Sequence, residues 1–174
     1  MLARASLHSN GSEFHTLEYA DQKKDNITAH HARDLVHINA GGTRFTTLYD
    51  TLAQSNSSYF SNFIRVDPTS GKICLLQQRT IRDESGAIFV NRDGRLFAHV
   101  LQFMRDRKNT VLPKDRDILA QLKREAEFFG MEAFKYSIQE TLIDMDKEQR
   151  VKHDDMSDIR ASVNQIANNT YFNK

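Results

Sequence analysis

Val36-His37-Ile38-Asn39-Ala40-Gly41-Gly42-Thr43-Arg44-Phe45-Thr46-Thr47 is the stretch on which the fold turns. Val36 and Ile38 alternate with His37 and Asn39, the period of two that marks a half-buried strand. Gly41-Gly42 reverses the chain, and Thr43 to Thr47 reads as the partner strand of a hairpin. Glycines after a strand also invite a phosphate-loop reading. A P-loop, however, opens a helix and carries Lys-Ser/Thr after its last glycine, whereas Thr43-Arg44-Phe45 continues as a strand. The pair is therefore read as a turn, where glycine takes positive φ without steric cost.

Downstream of the hairpin, Asp50 to Gln54 gives a helical turn. Ser55-Asn56-Ser57 supplies N-cap candidates for a second helix carrying Tyr59, Phe60, Phe63 and Ile64. Pro68 and Gly71 flank a loop, Ile73 to Leu76 suits a small strand, and Ala87 to Val90 a second. Asn91-Arg92-Asp93-Gly94 turns into a helix whose Leu96, Phe97, Val100, Leu101 and Met104 make one apolar stripe. A helix from Asp115 to Phe129 buries Ile118, Leu119, Leu122, Ala126 and Phe129, with Gly130 where a C-cap belongs. A last helix repeats Phe134, Ile138 and Leu142 at intervals of four. The predicted order is strand-strand-helix-helix-strand-helix-helix-helix, an α+β domain over residues 35–142. Residues 1–34 are polar and aperiodic, with only scattered Phe14, Leu17 and Tyr19, and read as a disordered leader. Residues 143–174 read as a charged linker and a short helix.

Composition removes several function classes. The 174 residues carry 24 Lys+Arg against 23 Asp+Glu, too even for the concentrated cationic field of a nucleic-acid or polybasic membrane binder. The balance is no more extreme when divided: residues 35–142 hold 15 basic and 12 acidic side chains. One cysteine, Cys74, excludes an internal disulfide framework and a Cys-rich zinc site. No apolar run approaches the ~20 residues of a membrane helix, so no membrane insertion is expected. The reading is a reduced, cytoplasmic chain, with the nucleus as the other compartment open to it.

Chemistry-bearing motifs are few. Asp154-Asp155-Met156-Ser157-Asp158 resembles the Asp-Asp-x-x-Asp magnesium motif of prenyl-diphosphate enzymes, but the large helical cavity and second acidic motif those enzymes need are missing. It reads as a solvated charge run whose aspartates favour the N-terminus of a following helix. His30-His31 has no Cys or carboxylate at ligand spacing, and His37 and His99 fall on polar faces. Cys74, among Ile73, Leu75 and Leu76, suits packing rather than nucleophilic attack. Arg105, Arg107 and Lys108 complement a helix C-terminus. No catalytic residue, cofactor or metal follows from these motifs, and the protein is expected not to be an enzyme. In the tail, Met156, Ile159, Val163 and Ile166 are spaced 3, 4 and 3, the a/d pattern of a coiled-coil seam, over only about two heptads. Self-association, docking on the domain's own surface and fraying are all open to this segment.

Three ordered motifs carry a family resemblance. Residues 36–47, followed by Thr51-Leu52, resemble the opening signature of the potassium-channel tetramerisation (BTB/POZ) domain, Asn-Val-Gly-Gly-x-x-Phe-x-Thr-x-x-x-Thr-Leu. Asp83-Glu84-Ser85-Gly86-Ala87-Ile88-Phe89-Val90-Asn91-Arg92-Asp93-Gly94 is similar to its second, Asp-x-x-Gly before Phe-x-Asp-Arg-Asp. Glu125-Ala126-Glu127-Phe128-Phe129 is similar to its third. Ala40 stands for the usual valine, Asn91 for the usual aspartate, and residues 65–82 form a longer segment than usual. The His/Cys zinc set of some channel domains cannot exist with one cysteine. The resemblance is to the KCTD-like members rather than to a channel. It implies a homo-oligomer, a pentamer or tetramer closed by head-to-tail contacts. It also implies a surface for the cullin-3 scaffold of ubiquitin ligases, which by position would map onto Thr46, Ala98 and Phe128. The other function open is a structural assembly scaffold or channel-associated subunit without a ligase role. Phe128 lies about 100° from the stripe residue Phe129 around the helix, and packing against the last helix is its ordinary alternative.

Overall fold

A computed structural model describes residues 26–172, with side chains described for residues 26–166. The hairpin forms as the alternation requires. Strands β2 (Leu35–Ala40) and β3 (Thr43–Leu48) pair antiparallel with Ala40 opposite Thr43, burying Val36, Ile38 and Ala40. Gly41 and Gly42 both take positive φ, 53° and 96°. Strand β6 (Ile88–Val90) joins β2 in parallel, completing a sheet in the order β3-β2-β6.

A second sheet, in the order β1-β5-β4, was only partly legible. β5 (Ile73–Leu76) is its centre, β4 (Ile64–Val66) one edge and β1 (Ile27–His30) the other, both antiparallel to β5. β1 falls inside the stretch read as disordered leader. Its order comes from main-chain pairing with β5 rather than from apolar content, since its side chains are only half-buried or exposed. Residues 1–25 of that leader, with Phe14, Leu17 and Tyr19, lie outside the described residues. The second helix is also shorter than its apolar residues suggested. α2 spans only Ser58–Ser61, N-capped by Ser57, and Ile64 already belongs to β4.

Helix α1 (Tyr49–Ala53) touches β3 of the first sheet and β4 and β5 of the second. α3 (Gly94–Asp106) starts where the Asp93 carboxylate accepts from the amides of Arg95 and Leu96, and it rests on β2 and β3. α4 (Arg116–Phe128), capped by Asp115, packs on α3, and α5 (Glu132–Phe172) packs on α4. Phe60, Phe97, Phe129 and Phe134 are fully buried, with the Phe60 and Phe129 rings stacked 5.7 Å apart. This is the mixed α+β architecture expected.

The tail departs from expectation. α5 runs unbroken through 41 residues, so no linker separates the last domain helix from the seam. The sequence explains it: between Met131 and Lys174 there is neither glycine nor proline to end a helix. The aspartates at 154, 155 and 158 accordingly sit in mid-helix and face no helix N-terminus. No helix among the described residues is long and apolar enough to cross a membrane.

Candidate interaction surface

Glu125 lies one turn after Leu122 and one before Phe129, so α4 carries a carboxylate into its buried face. A charge there needs a hydrogen-bonded partner. Arg92, in the turn after β6, supplies it through both ends of its guanidinium: Nε to Oε2 at 2.9 Å and a terminal nitrogen to Oε1 at 2.5 Å. The Glu125 side chain is only 4% exposed and that of Arg92 31%. The hydrogen bonds to Glu125 hold the guanidinium charged, raising its pKa further.

Fixed in this way, Arg92 lies 4.5 Å from the centre of the Phe128 ring. On its other flank Phe128 meets Tyr59 of α2 at 5.1 Å, and Tyr59 in turn contacts Phe60, Phe63 and Phe129. Burial pushes the Tyr59 phenol above its usual pKa, so it stays neutral here. Phe128 nonetheless remains 42% exposed. Its ring and cation contacts thus come from the turn after β6, from α2 and from the neighbouring Phe129. The apolar stripe of α4 located Phe128; the supports escaped the sequence reading. The signal was available, since Glu125 falls on that stripe and Arg92 sits in the neighbouring motif.

Thr46 is exposed on β3, with its hydroxyl 3.0 Å from His37 Nδ1 and its carbonyl accepting from Arg105 at 3.1 Å. Ala98 is exposed on α3. Neither residue shares a ring, ion-pair or hydrogen-bond contact with Phe128 among those described. Met156, Ile159, Val163 and Ile166 lie 55–66% exposed along α5.

The glycine turn has its amides in use. The Gly41 amide donates to the Val90 carbonyl at 3.1 Å and the Gly42 amide to Asn39 Oδ1 at 2.8 Å, so neither points at an anion. Asn39 also donates through Nδ2 to Asp83 at 2.8 Å, tying the first motif to the second. The Ser85 hydroxyl and the Asn39 amide hold the Asp83 carboxyl well below the usual carboxylate range. No group of three or more metal-ligating side chains occurs among the described residues. Cys74 is free and partly buried.

Comparison with known proteins agrees with this arrangement. The profile of the BTB/POZ domain, in its potassium-channel tetramerisation form, matches residues 36–139. The chain is 38% identical over 98 residues to BTB/POZ domain-containing protein KCTD3 of Homo sapiens, covering 56% of this chain and 10% of that protein. It is 30% identical over 117 residues to KCTD21 of Homo sapiens, covering 67% and 41%. An uncharacterized protein of Caenorhabditis elegans, F47D12.3, is 33% identical over 110 residues, covering 62% and 79%. The chain therefore spans a tenth of the length of KCTD3 and under half that of KCTD21. With the three motifs joined through Asn39–Asp83 and Arg92–Glu125, the chain belongs to the BTB/POZ family, in its KCTD-like branch of protein-interaction and oligomerisation modules.

Proposed function

We propose that this protein is a non-enzymatic, homo-oligomeric adaptor, a tetramer or pentamer, that recruits a partner to the cullin-3 scaffold of a ubiquitin ligase. The observation that carries this reading is Phe128. A large aromatic side chain stays 42% exposed while Tyr59 and a charge-locked Arg92 hold it from two sides. Aromatic and arginine side chains dominate binding energy at interfaces, and one already ordered loses little entropy on association. Thr46 and Ala98 are exposed as the contact positions would have to be.

The test is binding of the native oligomer to a cullin-3 N-terminal fragment, compared with Phe128→Ala. Loss of an anchor of this kind weakens binding by about thirtyfold, some 2 kcal/mol. Ala98→Arg places a charge on the same proposed surface and weakens it as well. A native oligomer that fails to bind leaves the assembly scaffold or channel-associated subunit, without a ligase role, as the function.

A further inference from the structure

The apolar face of α5 continues after the domain has ended. In its first half Phe134 and Ile138 are fully buried, and Leu142 and Met145 pack against the core. Arg116 at the start of α4 pairs with Asp146 and reaches Gln149 at 3.4 Å. From Asp146 to Ile166 every residue is exposed. Met156 follows Ile138 by 18 residues, about five helical turns, and so returns to the same face. Ile159, Val163 and Ile166 extend that face, while Gln149 and Lys152 interrupt it where the helix leaves the domain. Residues 156–166 thus form a short apolar stripe, coaxial with the one that docks on α4 and 55–66% exposed at Met156, Ile159, Val163 and Ile166.

We propose that other copies of this chain cover it, with residues 156–166 forming a parallel, in-register helical bundle on the axis of the oligomer. The proposal rests on oligomerisation by the BTB/POZ domain. Flanking charge argues for a second copy in parallel. With Met156 and Val163 at a, and Ile159 and Ile166 at d, Asp155 falls at g and Arg160 at e. Parallel helices set g of one against e of the next heptad in its neighbour, which brings Asp155 to Arg160 of the adjacent copy. Antiparallel helices would instead set g against g, and the g position within the stripe is Ser162, which leaves Asp155 and Arg160 without each other. Neither residue has a charged partner within its own chain among the described residues, and no acid lies three or four positions from Arg160.

Symmetry and side-chain shape agree. A closed ring holds all its helices in one direction along the axis. Isoleucine at d disfavours two strands and suits three or more. Two heptads are too short to associate alone, but copies already held by their domains meet at high effective concentration.

The experiment uses the full chain, with mass by light scattering after size exclusion and dissociation followed on dilution. Ile159→Asp raises the midpoint concentration for dissociation by about tenfold or more, because a charge enters the seam. Asp155→Arg and Arg160→Asp each raise it about threefold, and the two together restore it to within about twofold of native. A native ring indifferent to Ile159→Asp overturns the seam and leaves domain oligomerisation standing. A double swap no better than either single change overturns the parallel arrangement. A native chain that is monomeric at micromolar concentration overturns the oligomerisation reading beneath both.

Discussion

Asn39 uses both ends of its amide. Oδ1 closes the hairpin turn through Gly42, and Nδ2 reaches 44 residues along the chain to Asp83. Asp83 in turn accepts from the Ser85 amide and hydroxyl and from the Ala87 amide, and pairs with Arg44 at 3.3 Å. These partners favour the ionised carboxylate, so its folded pKa lies below the unfolded value of about 3.9. The stabilisation is therefore complete above that value and is lost as pH falls below it, through the folded pKa. Asp83→Asn turns an amide N–H toward the donors of Asn39 and Arg44. Its melting temperature is expected below native at pH 7, with the gap closing under pH 4, as thermal scans across pH would record. The glycine pair was legible because a tight reversal constrains φ locally. The Asn39–Asp83 bond was not, because it depends on β6 lying parallel beside β2, a pairing between segments far apart in sequence.

Among the elements, α4 announced both its ends. Asp115 caps its start, and at its close the Gly130 amide donates to Glu127 and the Met131 amide to Ala126, a Schellman motif. Gly130 has φ of +61°, and a Cβ there would lie 1.8 Å from Ser58 Oγ and 2.8 Å from Ser58 Cβ. Gly130→Ala therefore combines left-handed strain with a clash against α2, and is expected to cost about 2–4 kcal/mol. Urea denaturation at fixed protein concentration measures this loss. Adding Ser58→Gly removes the clash but leaves the strain, recovering only part of the stability. Helices α3 and α4 were readable because capping residues and a period of 3.6 repeat over three turns. β1 and β4 were not, since three or four residues show no more than two cycles of alternation. Tyr59, Phe60 and Phe63 were assigned to one helix because their spacing is helical; pairing of Ile64 with Leu75 ends it first.

For the whole molecule, α1 joins the two sheets, and α3, α4 and α5 stack successively on the first of them. Beyond Gln149 every described side chain of helix α5, through Ile166, is exposed. In chain diluted below the dissociation midpoint, amides of residues 150–166 are expected to exchange at least about tenfold faster than those of 134–146. Hydrogen exchange resolved along the sequence tests this, and equal protection of the two halves contradicts it. The Arg92–Glu125 pair shows a similar division between what a sequence displays and what it conceals. A charged residue on an apolar stripe can be seen in advance, but the identity of its counter-ion is settled only when β6, α3 and α4 converge.

The second sheet also imposes an order on biosynthesis. Ile27 must wait for Leu76, and His30 for Ile73, whereas β2 meets β3 across two glycines. Made at about 5–20 residues per second, the nascent chain holds β1 without its mate for roughly 2–10 s. The first strand among the described residues thus waits for its partner, and it closes a sheet whose central strand leaves the ribosome long after it.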